Sequence, residues 1–220
     1  MDHFNEIDYW GQTPEELIKE KKSKDSLLFD TEILRINDYV LSDSSRVKKI
    51  NELGLIPKKN QHFRVVTHNS FNAFDILEYF LFNIKNTDEC YISSYNFGEK
   101  TINSIFDLYD NNVFYSLSLI ISESIRFRNP KIFSILKQNV EKRIDKNIRL
   151  AGVWNHSKIT LIKKDDNYYV IEGSGNFNNN AYIEQYSIDN NEEIYNFHKS
   201  WMDKYVFDKS NIDKKRHFVL

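Results

Sequence analysis

The 220-residue sequence is poor in the residues that mark several classes of protein. Its single cysteine excludes an internal disulfide, and its three prolines and six glycines exclude collagen-like and low-complexity chains. No apolar run reaches the roughly 18 residues that a membrane-spanning helix needs. Since the residues from Met1 to Glu6 also lack the character of a signal peptide, we expect a cytoplasmic protein.

The sequence also lacks an excess of charge of either sign. Its 30 basic and 32 acidic residues give a formal net charge of -2, without the basic surplus that accompanies tight nonspecific binding to nucleic acid. Four basic clusters occur, at 19–24, 48–49, 58–59 and 214–216. Because acidic residues or a chain terminus lie near each cluster, we interpret the clusters as solvent-exposed surface. Any contact with a polyanion is therefore expected to be local.

Neither the cysteine nor the histidines indicate a thiol or metal centre. Cys90 lies in the apolar run 90–92 and is interpreted as a small core residue rather than a nucleophile. Four histidines lack the spacing to Cys, Asp or Glu that a metal site requires: His3, His62, His198 and His217. We therefore predict that the protein uses no metal and no other cofactor.

What the sequence does contain is, first, a helical pattern near its start. Thr13, followed by a proline and two acids, is typical of a helix N-terminus, and this helix is predicted to reach Lys24. Further helices are predicted over 27–41 and 45–54, the second ending at a glycine. Residues 1–60 are thus predicted to form an N-terminal helical extension.

From His62 onward, short apolar runs alternate with amphipathic stretches, which is the pattern of strands joined by crossover helices. Strands are predicted at 63–67, 90–95, 113–122 and 148–154, and helices at 73–83, 100–109 and 131–142. A polar turn then joins two longer strands as a hairpin, 157–163 and 168–172. Residues 61–220 are therefore predicted to form one α/β domain with a mixed, largely parallel sheet flanked by helices.

A last helix is predicted to begin near Asn191, because two glutamates follow in its first turn. Four apolar residues fall along one stripe of this helix and are predicted to pack on the sheet: Ile194, Phe197, Trp201 and Tyr205.

The residues that carry chemistry lie around the hairpin. His156 and Lys158 are two positions apart and so point to the same side of an extended strand, and Ser174 and Asn176 do likewise after the hairpin. An imidazole, an ammonium, a hydroxyl and an amide can then converge, and these are the groups that phosphoryl transfer without a metal needs. The glycines at positions 173 and 175 are expected to let the backbone approach an anion closely.

The pattern His-x-Lys followed by Gly-Ser-x-Asn resembles the HKD motif of the phospholipase D superfamily, in the branch of small bacterial nucleases with one motif per chain. The resemblance implies a phospholipase D-like fold and His156 as the nucleophile that attacks phosphorus. It implies that Lys158 and Asn176 hold the phosphate oxygens and that Ser174 supports the site. It also implies Glu184, downstream of the second half of the motif, as the carboxylate that orients the histidine.

The resemblance covers residues 62–206 in chain order and residues 156–184 at the level of the motif. One motif position departs from the family, because Lys163 stands where the family has an aspartate, with acids two and three positions later. The hairpin between the two halves is also longer than in the family. That aspartate is mainly a supporting group, so the groups that act on phosphate are all still present.

A complete active site of this superfamily contains two motifs, with one histidine as nucleophile and the other as general acid and then general base. No second His-x-Lys with a following Gly-Ser-x-Asn occurs in the sequence, and the pair His198-Lys199 lacks the spacing. The resemblance therefore implies a homodimer of two-fold symmetry that brings His156 of each chain to one shared cleft.

Polar residues that follow two other strands are candidates for substrate binding. Ser70 and Asn72 lie between a predicted strand and helix, where they either receive an anion or simply cap the helix. They resemble a Ser-Phe-Asn of phage-associated proteins in the superfamily. Ser94 and Asn96 follow the next strand, at the edge where open α/β sheets bind ligands.

The sequence leaves more than one function open. The first is a metal-independent phosphodiesterase, specifically an endonuclease that cleaves DNA or RNA through a phosphohistidine. The alternative is a catalytically degenerate phospholipase D-like binding or structural protein, such as a phage protein, which Lys163 and the slightly acidic net charge favour. A lipid phosphodiesterase is disfavoured, because no exposed apolar or secretory segment gives access to a membrane.

Overall fold

The computed structural model describes residues 32–36, 39–44, 54, 56–68, 72–143, 147–178, 183–207 and 218–220. Its strands are β1 (Glu32–Ile36), β2 (Tyr39–Ser44), β3 (His62–His68), β4 (Thr87–Ser94), β5 (Phe114–Ser122), β6 (Ile148–Val153), β7 (Ile159–Lys164), β8 (Asn167–Gly173), β9 (Ile183–Asn190) and β10 (Phe218–Val219). Its helices are α1 (Ala73–Ile84), α2 (Glu99–Asp110), α3 (Ile125–Arg128), α4 (Pro130–Glu141) and α5 (Glu192–Val206). No helix in the described part of the chain combines the length and apolar character needed to cross a membrane.

The strands form one mixed sheet in the order β1-β2-β3-β9-β8-β7-β4-β5-β6-β10. Parallel neighbours are β2 with β3, β4 with β5, and β5 with β6, while the remaining neighbours are antiparallel. The four strands of the β-α run, β3 to β6, all point the same way. The predicted α/β class, with a mixed sheet flanked by helices, is therefore confirmed.

Local sequence signals explain where the helices begin. The Asn72 side chain accepts from the amides of Phe74 and Asp75, and Asp75 accepts in return from the Asn72 amide, which makes a capping box at the start of α1. Asn129 caps α4, whose first residue is a proline, and Asn191 caps α5 as predicted. Each helix of the predicted β-α run lies within two residues of its expected bounds.

Two hydrophobic cores lie on opposite faces of the sheet. Helices α1, α2 and α4 cover the first face, where Cys90 and Ile92 of β4 point, and α5 covers the second face together with Tyr91. Cys90 is fully buried, and burial raises the pKa of its thiol well above the usual range. It is therefore a small core residue, as predicted, and not a nucleophile.

The N-terminal prediction is wrong where the structure describes it. Residues 32–36 and 39–44 form β1 and β2 rather than a helix over 27–41, and β2 adds to the sheet beside β3. The helix predicted over 13–24 lies outside the described residues, as does the one over 45–54 apart from Gly54. The division of the chain at residue 60 stays a prediction.

The buried stripe of α5 also differs from the predicted one. Phe197 and Tyr205 are 68% and 42% exposed, and only Ile194 and Trp201 of the predicted set pack at the border of the core. The residues that face the sheet are instead Tyr195, His198, Met202 and Val206. Apolar periodicity missed this face because two of its members are polar and bond to the sheet: Tyr195 donates to Glu89 Oε1 at 2.8 Å, and His198 Nε2 lies 3.3 Å from Glu172 Oε1.

Candidate functional site

The candidate site lies at the sheet edge where β4, β5 and β6 end and β7 begins. Since β7 pairs with β4, the loop 154–158 has to cross the ends of β5 and β4 on its way from β6. β8 ends at the same edge and β9 starts there, because both run antiparallel to their neighbours. All parts of the motif therefore meet at one edge.

Asn155 fixes the path of this loop. Its buried Nδ2 lies 3.0 Å from Ser93 Oγ and 3.4 Å from the carbonyl oxygens of Ser94 and Ile120. Its Oδ1 accepts from the amide and the hydroxyl of Ser157, at 2.9 and 2.7 Å. One side chain thus ties the residues on both sides of His156 to the ends of β4 and β5.

His156 and Lys158 contact each other directly. The Lys158 ammonium lies 3.0 Å from His156 Nδ1 and 2.8 Å from the His156 carbonyl oxygen, so it donates to both. Nδ1 is then an acceptor, and the neutral imidazole carries its proton on Nε2. Burial lowers the pKa of Lys158, and the negative charge of Glu184 offsets part of that shift.

Ser174 and Glu184 join the same cluster from β8 and β9. The Ser174 hydroxyl donates to Glu184 Oε2 and accepts from the Gln185 amide, the latter at 3.1 Å. The Gly173 amide donates to the Lys158 carbonyl oxygen at 3.1 Å, which places Ser174 next to the start of β7. Glu184 therefore bonds to Ser174, and its expected orienting effect on His156 stays a prediction.

Phe177, the residue after Asn176, is bonded to the end of β4. The amide of Phe177, which follows Asn176, donates to Ser94 Oγ at 3.4 Å, and the Gly98 amide donates to the Phe177 carbonyl at 2.8 Å. Ser94 is fully buried, and its hydroxyl donates to the Asn96 carbonyl at 2.9 Å. The structure thus gives Ser94 a supporting contact, whereas substrate binding by Ser94 and Asn96 stays a prediction.

The residues that follow β3 and β5 contribute less to the described site. Asn72 caps α1, which agrees with the simpler of its two interpretations, and Ser70 lies outside the described residues. Arg126 pairs with the buried Glu123 at 3.3 Å.

The structure adds two observations about the motif. Lys163 lies five residues beyond Lys158 along β7, roughly 16 Å away at the usual rise of a strand, so the departure from the family motif falls outside the cluster. A Cβ at Gly173 would lie 2.3 Å from the ring of Tyr186. Glycine is therefore required there for packing against Tyr186, and the close approach of an anion stays a prediction.

Sequence reasoning missed Asn155 and Arg128, and it assigned no role to Tyr95 between the candidates Ser94 and Asn96. The Tyr95 ring lies 4.8 Å from the His156 ring, centroid to centroid, and the Arg128 guanidinium donates to the Tyr95 hydroxyl. The only signal in the sequence was the position of these residues shortly after the ends of β4, β5 and β6. Open α/β sheets place functional groups at these strand ends.

The charge of Glu184 gives a direct test of this geometry. Glu184→Gln keeps an oxygen that accepts from Ser174 but removes the negative charge, so we expect the pKa of Lys158 to fall further below its usual range. The measurement is an NMR titration of the lysine ¹³Cε signals, with the Lys158 signal identified from Lys158→Gln. Glu99→Gln, on the surface of α2, is the control and is expected to leave the Lys158 titration unchanged.

No protein-family model matches the chain, and no curated protein matches its sequence. Among solved structures it is similar to the phosphatidylserine synthase of Haemophilus influenzae Rd KW20, at 13% identity and a TM-score of 0.50, covering 75% of this chain and 41% of that one. A polyphosphate kinase from Porphyromonas gingivalis matches at 14% identity and a TM-score of 0.48, covering 64% of this chain and 25% of that one. The archaeal chromatin protein TrmBL2 matches at 10% identity and a TM-score of 0.41, covering 87% of this chain and 62% of that one.

The chain thus spans less than two thirds of each of these structures. At such low identity the similarity to phosphatidylserine synthase, a member of the phospholipase D superfamily, concerns the fold alone. The phospholipase D-like fold expected from the motif is therefore shown, with its mixed sheet and flanking helices.

Proposed function

We propose that the protein is a cytoplasmic, metal-independent phosphodiesterase, a nuclease that works as a homodimer through a phosphohistidine on His156. One observation carries the proposal: the motif residues His156, Lys158 and Ser174 gather with Glu184 at one edge of a phospholipase D-like sheet. The cluster combines an exposed imidazole with an ammonium and a hydroxyl, as attack on a phosphodiester requires.

The proposed reaction begins when a substrate phosphate draws the Lys158 ammonium away from His156 Nδ1. The imidazole proton can then move from Nε2 to Nδ1, which leaves the Nε2 lone pair free to attack phosphorus. A P–N bond forms as the bond to the leaving oxygen breaks, while Lys158 and Asn176 hold the phosphoryl oxygens.

The leaving oxygen takes a proton from the imidazolium form of His156 of the partner chain, which acts as general acid and becomes neutral imidazole. The same imidazole then removes a proton from water, and the resulting attack on phosphorus breaks the P–N bond and regenerates the nucleophile. A two-fold axis at the cleft supplies both histidines from one sequence. The exposure of His156 is compatible with the approach of a second chain.

The alternative, a degenerate binding or structural protein such as a phage protein, rests mainly on Lys163. Because Lys163 lies outside the cluster, next to the ring of Tyr168, its replacement of aspartate removes no group that contacts His156 or Lys158. The geometry therefore favours the enzyme over the degenerate protein.

The test is cleavage of labelled single- and double-stranded DNA, RNA and a chromogenic phosphodiester in excess EDTA, together with the mass in solution by light scattering. We expect cleavage that chelation does not reduce, from a protein of twice the chain mass. Activity that needs an added divalent cation, or full activity from a monomer, would contradict the proposal. A folded dimer that cleaves none of the substrates would favour the binding or structural alternative.

A further inference from the structure

Tyr95 is the centre of a cationic cluster that the motif does not contain. Its ring lies 4.8 Å from the His156 ring, and Lys158 Nζ lies 5.9 Å from the ring centre. On the same ring, the Arg128 guanidinium donates to the hydroxyl and has its Cζ 5.9 Å from the centre. Tyr95 thus connects Arg128 to the reactive pair.

Arg128 is an exposed cation with its charge available. It is the last residue of α3, the short helix that follows β5. Within the described ranges no carboxylate lies at ion-pair distance from Arg128, whereas Arg126, two residues earlier, pairs with Glu123 at 3.3 Å. The guanidinium can therefore bind an anion without first breaking an ion pair.

The spacing of the two cations suits a chain of phosphates. Arg128 Cζ and Lys158 Nζ are each 5.9 Å from the same ring centre, so they cannot be further apart than twice that distance. Cations no further apart than this can contact neighbouring phosphates of one strand.

Exposed aromatic residues are neighbours in sequence of two members of the cluster. Phe127 precedes Arg128 and is 74% exposed, with its ring 5.7 Å from Arg126 Cζ. Trp154, two residues before His156, is 79% exposed. Proteins that bind single strands combine such rings, on which unpaired bases stack, with cations that follow the backbone. In a duplex the bases already stack on each other and are less available to these rings. Because the net charge is -2, attraction to a polyanion has to come from a local group of cations such as this one.

From this arrangement we infer that Arg128, Tyr95 and the rings of Trp154 and Phe127 form a second subsite, which makes single-stranded nucleic acid the substrate of the site. Arg128 contacts the phosphate next to the one at Lys158, and the aromatic rings hold the adjoining bases. The inference rests on the proposed function and adds the substrate class to it.

The test measures the binding of fluorescein-labelled 12-nucleotide single strands of DNA and RNA by anisotropy, in a His156→Ala background that prevents cleavage. We expect Arg128→Gln and Trp154→Ala each to weaken binding by about tenfold. Arg128→Gln should also reduce the slope of log affinity against log salt by about 0.7, the value for one lost contact to a single strand. Comparison of the two strands shows whether DNA or RNA is preferred.

Lys131→Gln is the matched control, because it removes an exposed cation that is already paired with Glu99. We expect this variant to bind like its parent. The inference is overturned if Arg128→Gln keeps the parent's affinity and salt slope, if the parent binds neither strand, or if duplex DNA binds as tightly as the single strands. Failure of the proposed function is a separate result, since it would show as absent cleavage by the unmodified protein while the binding pattern persists.

Discussion

Replacement of His156 by alanine is expected to reduce the rate of phosphodiester cleavage by about 10³-fold or more. The imidazole is the group that forms the P–N bond and, in the partner chain, the group that protonates the leaving oxygen, so one substitution removes two functions from the shared cleft. His156 is exposed, and its loss leaves no cavity in the core. The measurement is cleavage in EDTA at saturating substrate, with circular dichroism to show that the fold is retained.

His198→Gln is the control for this variant, because His198 begins the only other His-Lys pair in the sequence. His198 is largely buried on α5, accepts from Trp201 Nε1 at 3.2 Å and lies beside Glu172 on β8. The control should therefore lose some stability and keep its activity. Full activity in His156→Ala would rule out the phosphohistidine, and an inactive His198→Gln would place the second histidine within one chain, against the homodimer.

Local patterns were sufficient to predict the elements that build the site edge. The strands β5 and β6 are short and largely apolar, and β4 has an apolar centre at 90–92. The helix α4, which lies between β5 and β6, begins with the cap Asn129 and a proline. The hairpin of β7 and β8 follows from the polar turn between two apolar runs. In these segments intrinsic preference and tertiary structure agree, which is why the expected bounds are close to the observed ones.

Elements whose stability comes from distant partners were predicted poorly. The strand β9 was not expected, because it carries the buried polar residues Asp189 and Asn190 in place of a regular apolar alternation. Asp189 is satisfied by His62 on β3, at 2.5 Å, and Asn190 by the Pro57 carbonyl at 3.1 Å. Partners more than 120 residues away in the sequence leave no local signal.

The strands β1 and β2 were mistaken for one helix because the apolar residues of this segment also fit a period of 3.6. Ile36 pairs with Tyr39 in the ladder, so two residues separate the strands. Those two residues are an asparagine and an aspartate, which favour turns, and this was the signal that the helical interpretation overlooked.

His156 and Lys158 lie in contact as expected, but not for the expected reason. His156 and Lys158 precede β7, which begins at Ile159, so their approach does not come from alternation along a strand. It comes from the loop that Asn155 ties to the ends of β4 and β5. An anchoring side chain of this kind has no recognisable spacing in sequence, because its partners are a serine hydroxyl and carbonyls from distant segments.

Asn155→Ala is therefore expected to damage the site almost as directly as loss of a motif residue. The substitution deletes the donor to Ser93 and the acceptor for the Ser157 amide, and it leaves buried polar groups without partners. We expect a loss of stability of about 1–3 kcal/mol, measured by urea denaturation. We expect cleavage in EDTA to fall by about 10²-fold, because a displacement of about 1 Å at the reacting group has an effect of that size.

Asn83→Ala provides the comparison, since Asn83 is an exposed asparagine of α1 whose side chain donates only to the Tyr79 carbonyl one turn earlier. Its stability and activity should stay close to those of the unmodified protein. The two effects of Asn155→Ala can also be separated, because a variant that merely unfolds more easily regains full activity at low temperature, where the folded state is populated. A displaced His156 remains displaced in the folded protein, so a low rate that persists under those conditions supports anchoring by Asn155, and full recovery contradicts it.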